Sequence, residues 1–242
     1  TDCISCHMPK SSSIDIPHVS ITDHKISVHS NSKKVKGSFK ELACINNDSP
    51  TNLSKAKAYL KHYESFDQNP MLLDSAFMFL KRCKKEESFP FYVQYYYLKK
   101  DYKKLIKYSE YYSLDELHNK FTSNVLSITY SRIADSYSKY NFNEKSYANY
   151  LKSVELSPNN LDFLLKTSVL EIKMFKFEQA KIRLQKVIKL NPNFEKAYYN
   201  LGLIYLNVDQ DLYLAKLNFE EALKLNPDYI QAKDMLKYIE NN

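Results

Sequence analysis

Three prolines punctuate the C-terminal half of the chain at near-constant intervals. Ser157-Pro158, Asn191-Pro192 and Asn226-Pro227 lie 34 and 35 residues apart. A chain with breaks at this interval is built from one supersecondary unit used again and again, since a piece that short buries its apolar face only by stacking on its copies. The last unit reads Ala197-Tyr-Tyr-Asn-Leu201-Gly202-Leu-Ile-Tyr205, followed by Ala215-Lys-Leu-Asn-Phe219-Glu-Glu-Ala222 and then Pro227. The small residues Gly202, Ala215 and Ala222 allow two antiparallel helices to approach closely. Tyr198, Tyr205 and Phe219 are expected to fill the space between neighbouring hairpins. Pro227 ends the second helix because it has no N–H to give to the next backbone bond.

This period and its residues resemble the tetratricopeptide repeat (TPR), whose pattern runs aromatic, Leu-Gly, Tyr, Ala, Phe, Ala, Pro. The extra residue of the last unit falls in the turn near Asp209 to Asp211. The unit before keeps Phe177, Ala180, Leu184, Val187 and Pro192, with Thr167-Ser168 at the Leu-Gly place. The one before that shows Tyr130, Ala134, Tyr137, Tyr150 and Pro158. Upstream the repeat degenerates while the helical period continues: 53–66 and 71–83 are amphipathic and broken by Asn69-Pro70, and 91–98 and 102–112 form another hairpin turning at residues 99–101. Residues 229–239 suit a capping helix. The expected fold is all-α, a TPR-type helical-hairpin solenoid of three clear repeats, two or so divergent pairs and a cap. The resemblance implies a concave face that takes a protein or peptide.

The other end of the chain carries a different signal, Cys3-Ile4-Ser5-Cys6-His7. This C-x-x-C-H run is the attachment signature of a c-type haem. Two thiols one helical turn apart add across the vinyl groups of one porphyrin, and His7 is placed as proximal ligand to the iron. Competing readings are a zinc site completed by His18 or His24, a disulfide, or ordinary residues of a terminus. A structural zinc site usually brings its ligands as two close pairs, and no second C-x-x-C exists, so haem leads. Residues 3–26, from Cys3-Ile-Ser-Cys-His-Met-Pro-Lys10 to Asp15-Ile-Pro-His18-Val-Ser-Ile-Thr-Asp-His24-Lys-Ile26, resemble the last haem-binding segment of bacterial multihaem cytochromes c that end in TPR repeats. The resemblance implies covalent haem c on Cys3 and Cys6, His7 as proximal ligand, and His18 and His24 as iron ligands to this haem or neighbouring ones. The chain departs from that family in holding a single C-x-x-C-H.

Which histidine is distal stays open. The stretch from His18 to His24 alternates polar and apolar and is β-branched enough to be extended, which sets the two on one face ~20 Å apart, within reach of two different irons. Met8, beside the proximal ligand, is expected to pack. His29 reads as solvated, and His62 and His118 as helix-surface residues. Residues 27–50 are polar and loop-like. Cys44 and Cys83 are isolated, buried free thiols by default and a bridge in an oxidising compartment.

The 242 residues therefore divide into a haem c segment over 1–36, a linker over 37–50, divergent helical pairs over 51–120, and TPR repeats with a capping helix over 121–242. Haem c is attached outside the cytoplasm, so an export signal is expected upstream and the location is periplasmic or cell-surface in a Gram-negative bacterium. The net charge of +7 is spread over the helices and matches no nucleic-acid motif. No apolar run approaches a membrane span. No Ser-His-Asp set, phosphate-binding glycine loop or H-E-x-x-H occurs, and the carboxylate pairs Glu86-Glu87 and Glu220-Glu221 read as solvated. The 21 tyrosines fit the amino-acid bias of an A+T-rich genome at least as well as a binding surface. The expected function is electron transfer through haem c, with a redox partner protein or upstream haems of the same chain and a docking solenoid, rather than catalysis. The alternatives are a TPR interaction scaffold with no redox role and, on family analogy alone, part of a multihaem reductase of nitrogen oxides.

Overall fold

Side-chain caps mark where the helices begin. Thr51, Asn69, Asp101, Thr122, Asn160 and Asp211 each accept a hydrogen bond from a backbone N–H of the first turn that follows, satisfying donors that a helix leaves unpaired. The computed structural model describes residues 10–12, 20–22, 49–112 and 119–241, and it divides into two units, Thr1–Glu41 and Leu42–Asn242.

In the first unit, Lys10–Ser12 (β1) pairs antiparallel with Ser20–Thr22 (β2), setting Lys10 opposite Thr22 and Ser12 opposite Ser20. β2 falls inside the stretch that the alternating pattern marks as extended. Cys3, Cys6, His7, Met8, His18, His24, His29 and Cys44 lie outside the described residues, as does His118.

The second unit is helical throughout its described residues. Asn52–Ser65 (α1) pairs with Pro70–Leu80 (α2), Lys85–Leu98 (α3) with Tyr102–Ser109 (α4), and Ser123–Lys139 (α5) with Asn143–Leu156 (α6). Leu161–Lys173 (α7) pairs with Phe177–Leu190 (α8), and Glu195–Ile204 (α9) with Leu212–Leu225 (α10), before Ile230–Glu240 (α11) closes the stack. Each second helix packs on its own first helix and on the first helix of the next hairpin. Among the described residues this is a TPR-type solenoid of five hairpins and a cap.

Four of the five turns inside hairpins use one backbone device, a single left-handed residue: Lys100, Asn141, Phe175 and Gln210, with φ between 54° and 60°. None is glycine, although this conformation ordinarily favours it. The first hairpin instead starts its second helix with Pro70 behind the Asn69 cap. The fifth hairpin absorbs its extra residue as a π-helical turn, Tyr205–Asp209, at the end of α9. Such bulges take up single insertions without ending the helix.

α3 begins six residues before the sequence pattern places it, because Pro90 reads as a breaker and yet sits inside the helix. Phe89 and Pro90 are both buried there, so packing offsets the lost backbone bond. The core runs as successive clusters. Phe89, Val93, Leu105, Leu126 and Ile133 form one, and Leu164, Leu184, Val187, Leu201 and Ile204 another. In the last hairpin Phe219 is fully buried, as the pattern expects. A Cβ placed on Gly202 would stand 2.6 Å from the Phe219 ring, so glycine is needed for that contact. Tyr199, rather than Tyr198, makes the aromatic contacts, lying 5.8 Å from Phe219 and 5.0 Å from Tyr229 between ring centroids.

Candidate functional site: the first-helix face

On α5 the core takes Tyr130, Ala134 and Tyr137, which leaves Arg132, Asp135 and Lys139 at i, i+3 and i+7 on another stripe. On α7 the same geometry aligns Asp162, Lys166, Val169 and Lys173. α3 adds Gln94 and Tyr97, and α1 adds Glu64. These stripes meet in one polar network across the first helices of four hairpins. Glu64 accepts from Gln94 Nε2 at 2.8 Å and from Arg132 at 2.7 Å. The Arg132 guanidinium lies 5.7 Å from the Tyr97 ring centroid. Tyr97 Oη donates to Asp135 at 2.8 Å, and Lys166 Nζ donates to Asp135 at 3.1 Å and to Asp162 at 3.0 Å. Tyr150 Oη, from α6, donates to the other Asp135 oxygen.

Asp135 is the hub, with its side chain only 14% exposed and three donors around it. Burial pushes the Tyr97 and Tyr150 hydroxyls well above the usual tyrosine range, and the Asp135 charge pushes them further. Both therefore stay neutral donors. Burial works against the charged form of Lys166, but Asp135 and Asp162 outweigh it, so its ammonium is held above the usual lysine range.

Above this floor lies a cleft of about 500 Å³ lined by Tyr97, Tyr102, Asp135, Lys139, Tyr150 and Lys166. A second hollow of about 210 Å³ adjoins it through Ser138, Tyr150 and Lys166, and is walled by Leu165, Val169 and Lys173. The first is polar and aromatic, the second apolar with a lysine rim. Val169 is exposed there. Rigid tyrosine faces, fixed hydrogen-bonding groups and cations suit recognition of an extended polar-apolar segment.

The residues that the sequence singled out for chemistry stand apart from this cleft or outside the described residues. Glu86 and Glu87 are in the first turn of α3, and Glu220 and Glu221 pair with Lys216 and Lys224 on the surface of α10. Cys83 is a free, half-buried thiol whose Sγ donates to the Phe79 carbonyl, and burial raises its pKa. His62 packs on Phe66 at 5.4 Å between centroids on α1. Among the described residues no three His, Cys, Asp or Glu cluster in a metal-ligating group, and no helix is long and apolar enough to cross a membrane. Sequence reasoning missed Arg132, Asp135 and Lys166; the charged stripe they form on α5 and α7 is the signal that marks them.

Known proteins agree with the architecture. The tetratricopeptide repeat pattern matches residues 184–213. No curated protein matches the chain in sequence. Among solved structures, YrrB, described as a TPR protein with an unusual peptide-binding site, superposes with a TM-score of 0.59 at 15% identity, over 77% of this chain and 90% of its own. MamA from Desulfovibrio magneticus RS-1 gives 0.54 at 18% identity, over 65% and 84%, and a further MamA crystal structure gives 0.55 at 17%, over 65% and 82%. At these identities the likeness is one of fold, and the fold is that of a TPR-type helical-hairpin solenoid.

Proposed function

We propose that the helical body is a protein-interaction scaffold that holds an extended segment of a partner protein in the first-helix cleft. The network centred on Asp135 carries this reading. Tyr97, Tyr150 and Lys166 are fixed by hydrogen bonds before any ligand arrives, so little side-chain freedom remains to be lost on binding. The adjoining hollow at Leu165 and Val169 offers an apolar side chain a place beside the polar floor. The peptide-binding site named for YrrB supports this class of function.

The test is a displayed-peptide selection against the full chain, followed by calorimetry of the selected peptides against the parent, Lys166→Met and Val169→Asp, with circular dichroism to verify folding. Affinity is expected to fall at least about tenfold in both variants, the loss typical of a central contact. Peptides bound equally by parent and variants would place the docking surface elsewhere and overturn the proposal.

The Cys3-Ile-Ser-Cys-His7 run favours a second activity in the N-terminal unit, extracytoplasmic electron transfer. Its donor set fits haem c: two thiols for the thioether bonds and an imidazole, His7, for the iron, with His18 and His24 as further ligand candidates. The group, when bound, supplies a one-electron couple. A pyridine haemochrome of the protein exported in a host with haem c maturation tests this. A c-type spectrum reduced by one haem equivalent in Cys3→Ala/Cys6→Ala supports it, and no covalent haem removes it and leaves the scaffold alone.

A further inference from the structure

Seven aromatic side chains are exposed among the described residues, and five of them sit in or beside the turns that join the two helices of a hairpin: Phe66, Tyr140, Phe142, Phe175 and Tyr213. All three of the exposed phenylalanines are in this set. Consecutive turns lie side by side along one edge. Tyr102 and Lys139 line the same cleft, Lys173 Nζ donates to Asn141 Oδ1 at 2.7 Å, and Lys181 Nζ pairs with Asp209 at 2.8 Å. Phe175 is the extreme case, 80% exposed on a backbone with φ of 60°. A left-handed backbone is unfavourable for an L side chain with a Cβ, and the exposed ring is held by an edge-on contact with Phe177 at 6.0 Å between centroids.

Lysines separate these aromatic tips. Lys99, Lys100 and Lys103 belong to the second turn, Lys139 to the third, and Lys173 and Lys176 to the fourth. Two of the acidic groups there are matched locally: Asp101 pairs with Lys104, and Glu178 with Lys181. Glu144 stands in the third turn, and the central three turns remain net cationic. The cationic run ends at the fifth turn, where Asp209 is paired with Lys181 and Asp211 caps α10.

We propose that this edge docks the protein on an anionic lipid surface, with the aromatic tips entering the headgroup region and the lysines facing lipid phosphates. Aromatic rings with lysine neighbours are the composition that a bilayer interface accepts, and an anionic leaflet attracts such lysines. The tips stand on the first, third, fourth and fifth turns, with the exposed lysines Lys100, Lys103 and Lys139 among them. A fluid surface adapts to each tip separately, whereas a protein partner requires one contiguous desolvated patch. The edge borders the Asp135 cleft and shares Lys139 and Lys173 with its rim, but Lys100, Lys103, Phe142 and Phe175 line neither hollow, so variants at these four test the edge separately from the cleft.

The experiment is flotation of the full chain with phosphatidylcholine vesicles, with and without phosphatidylglycerol. The protein is expected to float with the anionic vesicles only, and to be released as salt rises from about 0.1 to about 0.5 M, where the Debye length shortens about twofold. Phe142→Ser/Phe175→Asn is expected to weaken binding at least about tenfold, and Lys100→Gln/Lys103→Gln at least about fivefold. The control Lys107→Gln/Lys189→Gln, at the C-terminal ends of second helices, is expected to bind like the parent. Asparagine suits the left-handed backbone at 175, and circular dichroism verifies each fold. Failure to float with any vesicle overturns the proposal and leaves the edge to an acidic protein partner. Equal loss in the control, or undiminished binding of the phenylalanine variant, overturns it in favour of unspecific charge adsorption.

Discussion

Single residues here are fixed by close approach and by buried hydrogen bonds. Gly202 is the sharpest case, because a methyl group at this position would meet the fully buried ring of Phe219 at 2.6 Å. Overpacking of this kind costs about 1–3 kcal/mol, against roughly 1 kcal/mol gained when alanine replaces glycine in a helix. Gly202→Ala is therefore expected to lower stability by up to about 2 kcal/mol overall, read as a lower urea midpoint at unchanged slope. Pairing it with Phe219→Leu is expected to recover part of the loss. The hydroxyls of Tyr97 and Tyr150 give a pH signature. Their pKa values are raised in the folded state, so the neutral form is favoured by folding. Their contribution is complete below the unfolded pKa near 10 and is lost as pH rises toward the folded values. Chemical denaturation between pH 7 and 11 is expected to give a flat midpoint to about pH 9.5 and a fall above it. Tyr150→Phe shallows that fall, and a parent whose midpoint is unchanged up to pH 11 would refute the assignment.

At the scale of the element, the helices were legible wherever apolar period and caps agreed, and were misread where one residue contradicted its neighbours. The last three hairpins and the cap follow their sequence pattern, because the small and aromatic positions each have one place to pack. α3 escaped in part because Pro90 stops a local reading, while burial of Phe89 and Pro90 is a tertiary effect. Thr167 and Ser168 replace the usual Leu-Gly pair without harm, since both hydroxyls bond back to carbonyls of their own helix, at 2.6 and 2.7 Å. The α7–α8 hairpin also holds a feature with no local sequence signal. Glu171 is fully buried, takes two hydrogen bonds from Arg183 at 2.8 and 3.0 Å, and accepts a third from Tyr147 Oη at 3.1 Å. Removing one partner strands a buried charge, so Arg183→Met is expected to destabilise by about 3–5 kcal/mol. Glu171→Met/Arg183→Met together are expected to cost clearly less, and a double mutant as unstable as the single one would show that packing, not charge pairing, holds the hairpin. The Asp135 cleft was legible only as separate charged stripes on α5 and α7: its residues come from α3, α5, α6 and α7, and only the stacking of hairpins brings them together.

For the whole molecule, the stack makes stability a nearest-neighbour property. Each hairpin of the helical body rests on the ones beside it, so an end should loosen before the middle. At the C-terminal end, α11 covers the last hairpin with Ala232 buried and Tyr229 packed on Tyr199. Truncation after Asn226 removes that cover. At the other end of the body, the network from Glu64 through Arg132 and Asp135 to Lys166 ties the first helices of four hairpins together in a way that ordinary repeat packing does not. The truncated protein is therefore expected to exchange amide hydrogens at least about tenfold faster in α9 and α10, roughly 1.4 kcal/mol of local stability, with protection in α3, α5 and α7 unchanged. Asp135→Asn should do the reverse, loosening α3, α5 and α7 while α9 and α10 keep their protection. If either change instead lowers protection uniformly along the body, the five hairpins unfold as one unit and the network has no separate role in holding them.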